Sequence, residues 1–168
     1  EYYQKSIELR EKTNNPALPW SYLGIASLYE EMGDQAKAIE NYSLSLELNE
    51  QNDEKRCNLH CYLGLGKIHT LNGHSGEASD YLKIALEIAE SLKAKPIIYE
   101  TYLLLAENAE RERDYKAALK FYRLHQQFKE EVLNSEMLNK LKYQQINYET
   151  ESARQEAEIY QLRNVELK

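Results

Sequence analysis

The apolar positions of this chain fall at helical spacing, and the helical pattern itself returns at a longer period. Tyr22, Ile25 and Ala26 come back as Tyr62, Leu65 and Gly66 and again as Tyr102, Leu105 and Ala106, each set 40 residues after the last. Farther along, Ala38, Tyr42 and Ser45 return as Ala78, Leu82 and Ala85 and as Ala118, Tyr122 and His125 at the same offset. Spacings of three and four residues put each set on one face of an α-helix. Between the two sets of each unit stands a break: Gly33-Asp34, Gly73-His74 and Arg113-Asp114. Each unit therefore predicts a helix, a tight turn and a second helix. Pro19 and Pro96 suit the first turn of a first helix, where no amide hydrogen is needed, while Asp34, Ser75 and Asp114 suit the N-caps of second helices.

The pattern has a packing logic. The small residues Ala26, Gly66, Ala106, Ala38, Ala78 and Ala118 let the helices of a pair approach closely, and Tyr22, Tyr42, Tyr62, Tyr102 and Tyr122 fill the space between pairs. One pair leaves apolar surface open, so neighbouring pairs must stack into a superhelix. The block Tyr22…Gly33-Asp34…Ala38…Tyr42 resembles the consensus of the tetratricopeptide repeat. By that resemblance residues 1–133 are repeats: a partial one at 1–16, whose Tyr3 and Ile7-Glu8-Leu9 resemble a second helix cut at its start, then full ones at 17–52, 53–93 and 94–133. The family's usual period is about 34 residues, so the longer one here implies lengthened helices. Departures are His69 and Ala109 where the first unit has Tyr29, and Arg113 in place of the turn glycine. The fold implied is all-α, a superhelix of antiparallel helix pairs followed by a long C-terminal helix.

After about Val132 the repeat stops. Asn134 or Ser135 is expected to cap a new helix over 134–168, with Met137, Leu138, Leu141 and Ile146 covering the edge of the last repeat. Leu141, Tyr148, Gln155 and Leu162 then stand seven apart, beside the companion row Leu138, Gln145, Ser152 and Ile159. Gln145, Ser152 and Gln155 make three of these eight positions polar, which predicts a seam that pairs weakly. Leu138, Leu141, Tyr148, Ile159 and Leu162 are its apolar members and would make a homodimer through this helix. The stretch Tyr148–Leu167 is also similar to the linker by which bacterial signalling proteins pass from tetratricopeptide repeats into an output domain, such as a diguanylate cyclase or histidine kinase. That resemblance implies the regulatory part of a longer cytoplasmic protein, and the start at Glu1 inside a helical pattern agrees with a fragment.

Composition narrows the function. Only 6 Gly and 3 Pro in 168 residues speak against a turn-rich sandwich or barrel. A net charge of −7 disfavours a nucleic-acid binder, and no apolar run is long enough for a membrane span. Of the 14 tyrosines most fall where the repeat favours aromatics. Cys57-x-x-His60-Cys61 puts three metal-binding side chains on one helical face, but a structural zinc site needs a fourth from another element. Gly64-Leu65-Gly66-Lys67 lacks the spacing of a phosphate loop and lies inside a helix. No motif of a hydrolase or metalloprotease occurs, so the expectation is no enzyme within these residues, no cofactor and no metal.

What remains is the concave face. By resemblance the first helix of each pair lines it, offering Trp20, Leu23, Ser27 and Glu30, then His60, Leu63, Lys67 and Thr70, then Glu100, Leu103, Leu104, Glu107 and Arg111. Repeats that hold chaperone tails grip a carboxylate with Lys, Arg and Asn. Here Lys67 and Arg111 stand against several Glu, which suits an amphipathic or basic peptide, or a helix of the parent protein, better than an acidic tail. Leu23, Leu63 and Leu103 have a second reading, as packing between repeats. The function expected is a protein- or peptide-binding sensor module joined to an output domain by a dimeric helix; the alternative is a free-standing scaffold that assembles a complex.

Overall fold

The computed structural model of the chain describes residues 17–50 and 54–166, with side chains to Ile159 except Ala157. The partial repeat expected at 1–16 lies outside the described residues. Among the described residues there are six helices and no strand: α1 (Leu18–Glu31), α2 (Gln35–Asn49), α3 (Lys55–Asn72), α4 (Ser75–Ser91), α5 (Lys95–Arg111) and α6 (Tyr115–Glu166). The all-α architecture expected from the 40-residue period is the one observed.

The turns show why the chain reverses where it does. Gly33 and Gly73 take φ of 79° and 75°, a left-handed conformation that costs glycine nothing in sterics. Arg113 takes φ 63° at the equivalent place, and Lys93, between α4 and α5, takes φ 55°. At each of the four, the next amide closes the same long bond back onto the helix: Asp34 to Tyr29 O, His74 to His69 O, Ala94 to Ala89 O and Asp114 to Ala109 O, at 2.9–3.0 Å. This bond occupies a carbonyl the helix end would leave without a partner. Asp34 and Asp114 cap α2 and α6 as expected, accepting from the amides of Lys37 at 3.3 Å and Ala117 at 3.0 Å. Ser75 does not cap α4. It is the first helical residue, and His74 holds the cap position without a side-chain bond. The turn after Gly73 is as short as the one after Gly33, so the cap falls on the residue aligned with Asp34.

In residues 1–129, one of the two units into which the chain divides, α1 packs on α2 and α3 on α4, while α1, α3 and α5 are neighbours in a row. Ala26, Ala38, Ala78 and Ala106 are fully buried, as their spacing predicts. A Cβ on Gly66 would come within 2.6 Å of Leu82, so the absence of a side chain lets α3 and α4 close up. Tyr42 and Tyr102 are buried, whereas Tyr22 and Tyr62 are half-buried and Tyr122 is exposed. Tyr102 stacks with Phe121 and meets Phe128 at a tilt, and His125 Nδ1 lies 2.7 Å from Tyr99 O, which fixes the first turns of α6 against α5.

No break occurs at Asn134 or Ser135. The helix that begins the second half of the last repeat continues through both, and Ser135 Oγ donates to Val132 O instead of capping. With no Gly or Pro from 115 to 166, nothing in the sequence ends it. In the second unit, residues 130–168, Met137, Leu138, Leu141 and Ile146 are each more than half exposed.

Candidate functional site

A cavity of about 540 Å³ opens on the row of first helices, between α1, α3 and the start of α5. Of the expected concave residues it gathers Trp20, Leu23, Ser27 and Glu30 from α1, His60, Leu63 and Lys67 from α3, and Glu100 from α5. The 3.6-residue period explains the gathering, because positions three, four and seven apart share one helix face. Trp20, His60, Lys67 and Glu100 are exposed, while Leu23 and Leu63 are buried. Leu23 and Leu63 each belong to a core cluster, as packing residues would, and each also lines the cavity.

Thr70, Leu103, Glu107 and Arg111 are not among the lining residues. Thr70 is buried, and its hydroxyl donates to Gly66 O at 2.8 Å, so it cannot present itself to a ligand. Leu103, Leu104 and Glu107 are buried or half-buried and Arg111 is exposed.

The lining also includes Gly24, Leu28, Glu31, Tyr42 and Gly64, which reading of the first helices alone did not single out. Gly24 and Gly64 are 40 residues apart, so the repeat itself carried that signal. Tyr42 comes from a second helix, α2, and reaches the cavity because Gly64 leaves room: a Cβ there would fall on the Tyr42 ring. Its hydroxyl donates to Glu30 Oε2 at 2.7 Å and lies 3.5 Å from Ser27 Oγ. Glu30 Oε1 is ion-paired with Lys67 Nζ. Burial, with Glu30 beside it, pushes the Tyr42 hydroxyl well above its ordinary pKa, so it stays a donor throughout the physiological range. Ser27, Tyr42, Glu30 and Lys67 thus form one polar chain running from α2 across α1 to α3.

The cysteines lie elsewhere. Cys57 and Cys61 are free and fully buried beneath α2, where the Cys61 thiol donates to Ser45 Oγ at 3.3 Å and Ser45 in turn donates to Pro19 O at 2.8 Å. The neighbouring Cys57 sulfur and burial both push the Cys61 thiol up. His60 is exposed on the cavity while both thiols are buried, so the three potential ligands of the Cys57-x-x-His60-Cys61 run do not converge. Among the described residues no helix is long and apolar enough to cross a membrane.

Residues 21–52, which contain most of α1 and all of α2, match the family model of the tetratricopeptide repeat. No curated protein matches the chain. The matched block and the repeated all-helical pairs that follow it together support a tetratricopeptide-repeat protein.

Proposed function

We propose that the chain is the protein- or peptide-binding sensor module of a bacterial signalling protein, passing partner binding to an output domain through a helical, dimeric linker. Tetratricopeptide repeats imply a protein-interaction role, and the cavity at Trp20, His60 and Lys67 is the observation that carries the binding half of the reading. It is open, partly apolar and built on the first helices, where one extended or helical segment of a partner has room to lie. Leu103, Glu107 and Arg111 would extend the binding face along α5. The module is read as non-catalytic.

The linker half rests on α6. Leu138, Leu141, Tyr148 and Ile159 stand at heptad positions and are each more than half exposed. A row of large apolar side chains left open along one helix is a face for another helix. Leu162, the next member, has its side chain outside the described residues. Gln145, Ser152 and Gln155 interrupt the row, which keeps pairing weak and lets two states of the linker lie close in energy.

Sedimentation velocity over a wide concentration range tests the linker. Weak, reversible self-association that Leu141→Lys removes supports it. A strict monomer, alone and with a bound peptide, overturns it.

A further inference from the structure

We propose that the cavity seats a cationic side chain of the partner, arginine above lysine. The inference deepens the peptide-binding reading and rests on it. Three carboxylates line the cavity, those of Glu30, Glu31 and Glu100, and among the described lining residues Lys67 is the one permanent cation. Lys67 is committed. It pairs with one oxygen of Glu30 while the Tyr42 hydroxyl donates to the other, so the charge of Glu30 is met from two sides within the protein. Glu31 and Glu100 are exposed and have no ion-pair partner among the described residues.

The cavity therefore presents two uncompensated carboxylates to whatever enters. An acidic tail would meet them with no free cation to offset the repulsion. A purely apolar segment would fill the space beside Leu28 and Leu63 but would strip water from both carboxylates without replacing its hydrogen bonds. A cationic side chain answers both demands. Its methylene stem can lie on the apolar wall while its charged head reaches the carboxylates. Trp20 adds the reason to favour arginine: its ring is exposed on the cavity, and a guanidinium both stacks on an aromatic face and forks to carboxylates.

Trp20 is also the chain's one tryptophan, so its fluorescence reports on the cavity directly. The test begins with a phage-displayed library of random dodecapeptides selected on the whole chain. Enriched peptides are then synthesised with arginine and with citrulline, which keeps the shape and removes the charge, and each is titrated against Trp20 emission. The expected result is enrichment of arginine or lysine beside apolar residues, with about tenfold weaker binding of the citrulline form. Glu31→Gln and Glu100→Gln, both at exposed positions, should weaken the arginine peptide and leave the citrulline peptide unchanged. Salt should weaken the arginine peptide alone. If citrulline peptides bind as tightly, or acidic peptides are enriched and shift Trp20, the cation seat is wrong and the groove stands. If no selected peptide alters Trp20 emission, both the seat and the groove reading fall.

Discussion

The hydroxyl of Tyr42 donates a 2.7 Å hydrogen bond to the carboxylate of Glu30, joining the second helix of a pair to the first. The same bond is made 80 residues on, where Tyr122 donates to Glu110 at 3.2 Å. The middle repeat dispenses with it: Leu82 and Thr70 stand at those two positions, both buried, and Thr70 turns its hydroxyl back onto Gly66. Polar and apolar solutions to one packing position thus alternate along the stack. The first of them, the Tyr42–Glu30 pair, lines the cavity.

Tyr42→Phe should cost about 1–2 kcal/mol of stability, because it removes a buried donor and leaves a Glu30 oxygen with only its exposed side. Tyr122→Phe removes the same bond at an exposed ring and should cost less than about 0.5 kcal/mol. Urea unfolding of the two variants checks this. Equal losses would show that the bond, and not its burial, sets the energy.

The turns give a prediction of opposite sign. Arg113 adopts the left-handed conformation that Gly33 and Gly73 adopt in the other units. A side chain there strains the backbone, so Arg113→Gly should stabilise the chain by about 0.5–1 kcal/mol, and Gly33→Ala should destabilise it by about 1 kcal/mol. Thermal melts read both. A loss of stability in Arg113→Gly would mean that the arginine side chain does more than its backbone costs.

These positions also show what could be read from residues alone. The period, the small buried residues and the turns were legible because each repeats, and a repeated error is improbable by spacing. The cap at His74 was visible in the alignment with Asp34 and Asp114, but the preference of serine for N-caps pointed one residue late. The burial of Thr70 was not legible from its place on the concave face, where the first unit has the half-buried Glu30; the change goes with Leu82 standing where that unit has Tyr42. Tyr42 was missed as cavity lining because only the contact with Gly64 carries it there. The continuation of α6 past Ser135 was masked by two residues that cap helices as readily as they sit within them.

A pH dependence follows from His69. Burial holds its imidazole below the ordinary value of 6.5, with the His74 ring 5.5 Å away and Tyr81 5.4 Å away, and Glu77 acting in the opposite sense. The unfolded chain takes up this proton first, so stability should be level above about pH 7 and fall as pH drops through about 6.5. His69→Phe keeps an aromatic ring in the place where the first unit has Tyr29 and removes the titration. Its stability should change less than that of the parent chain between about pH 7 and 5. Denaturant midpoints across that range decide it, and identical pH profiles would assign the acid sensitivity to other groups.

The seam of α6 can be tested by strengthening it. Gln145, Ser152 and Gln155 occupy heptad positions between Leu138, Leu141, Tyr148 and Ile159, and polar side chains there forfeit the apolar contacts that hold a coiled coil together. The Gln145 amide meanwhile bonds along its own helix, donating to Glu149 at 2.9 Å, so it is not held for a partner strand. Replacing all three with leucine should convert weak pairing into a stable dimer, with a melting temperature that rises with protein concentration. Placing the same three leucines one residue later, on a different helix face, should not do so. If the shifted set dimerises as well as the seam set, added hydrophobicity alone explains the association and the heptad row is not the interface. If neither dimerises, α6 does not self-pair, and the linker must act on an output domain through a single helix.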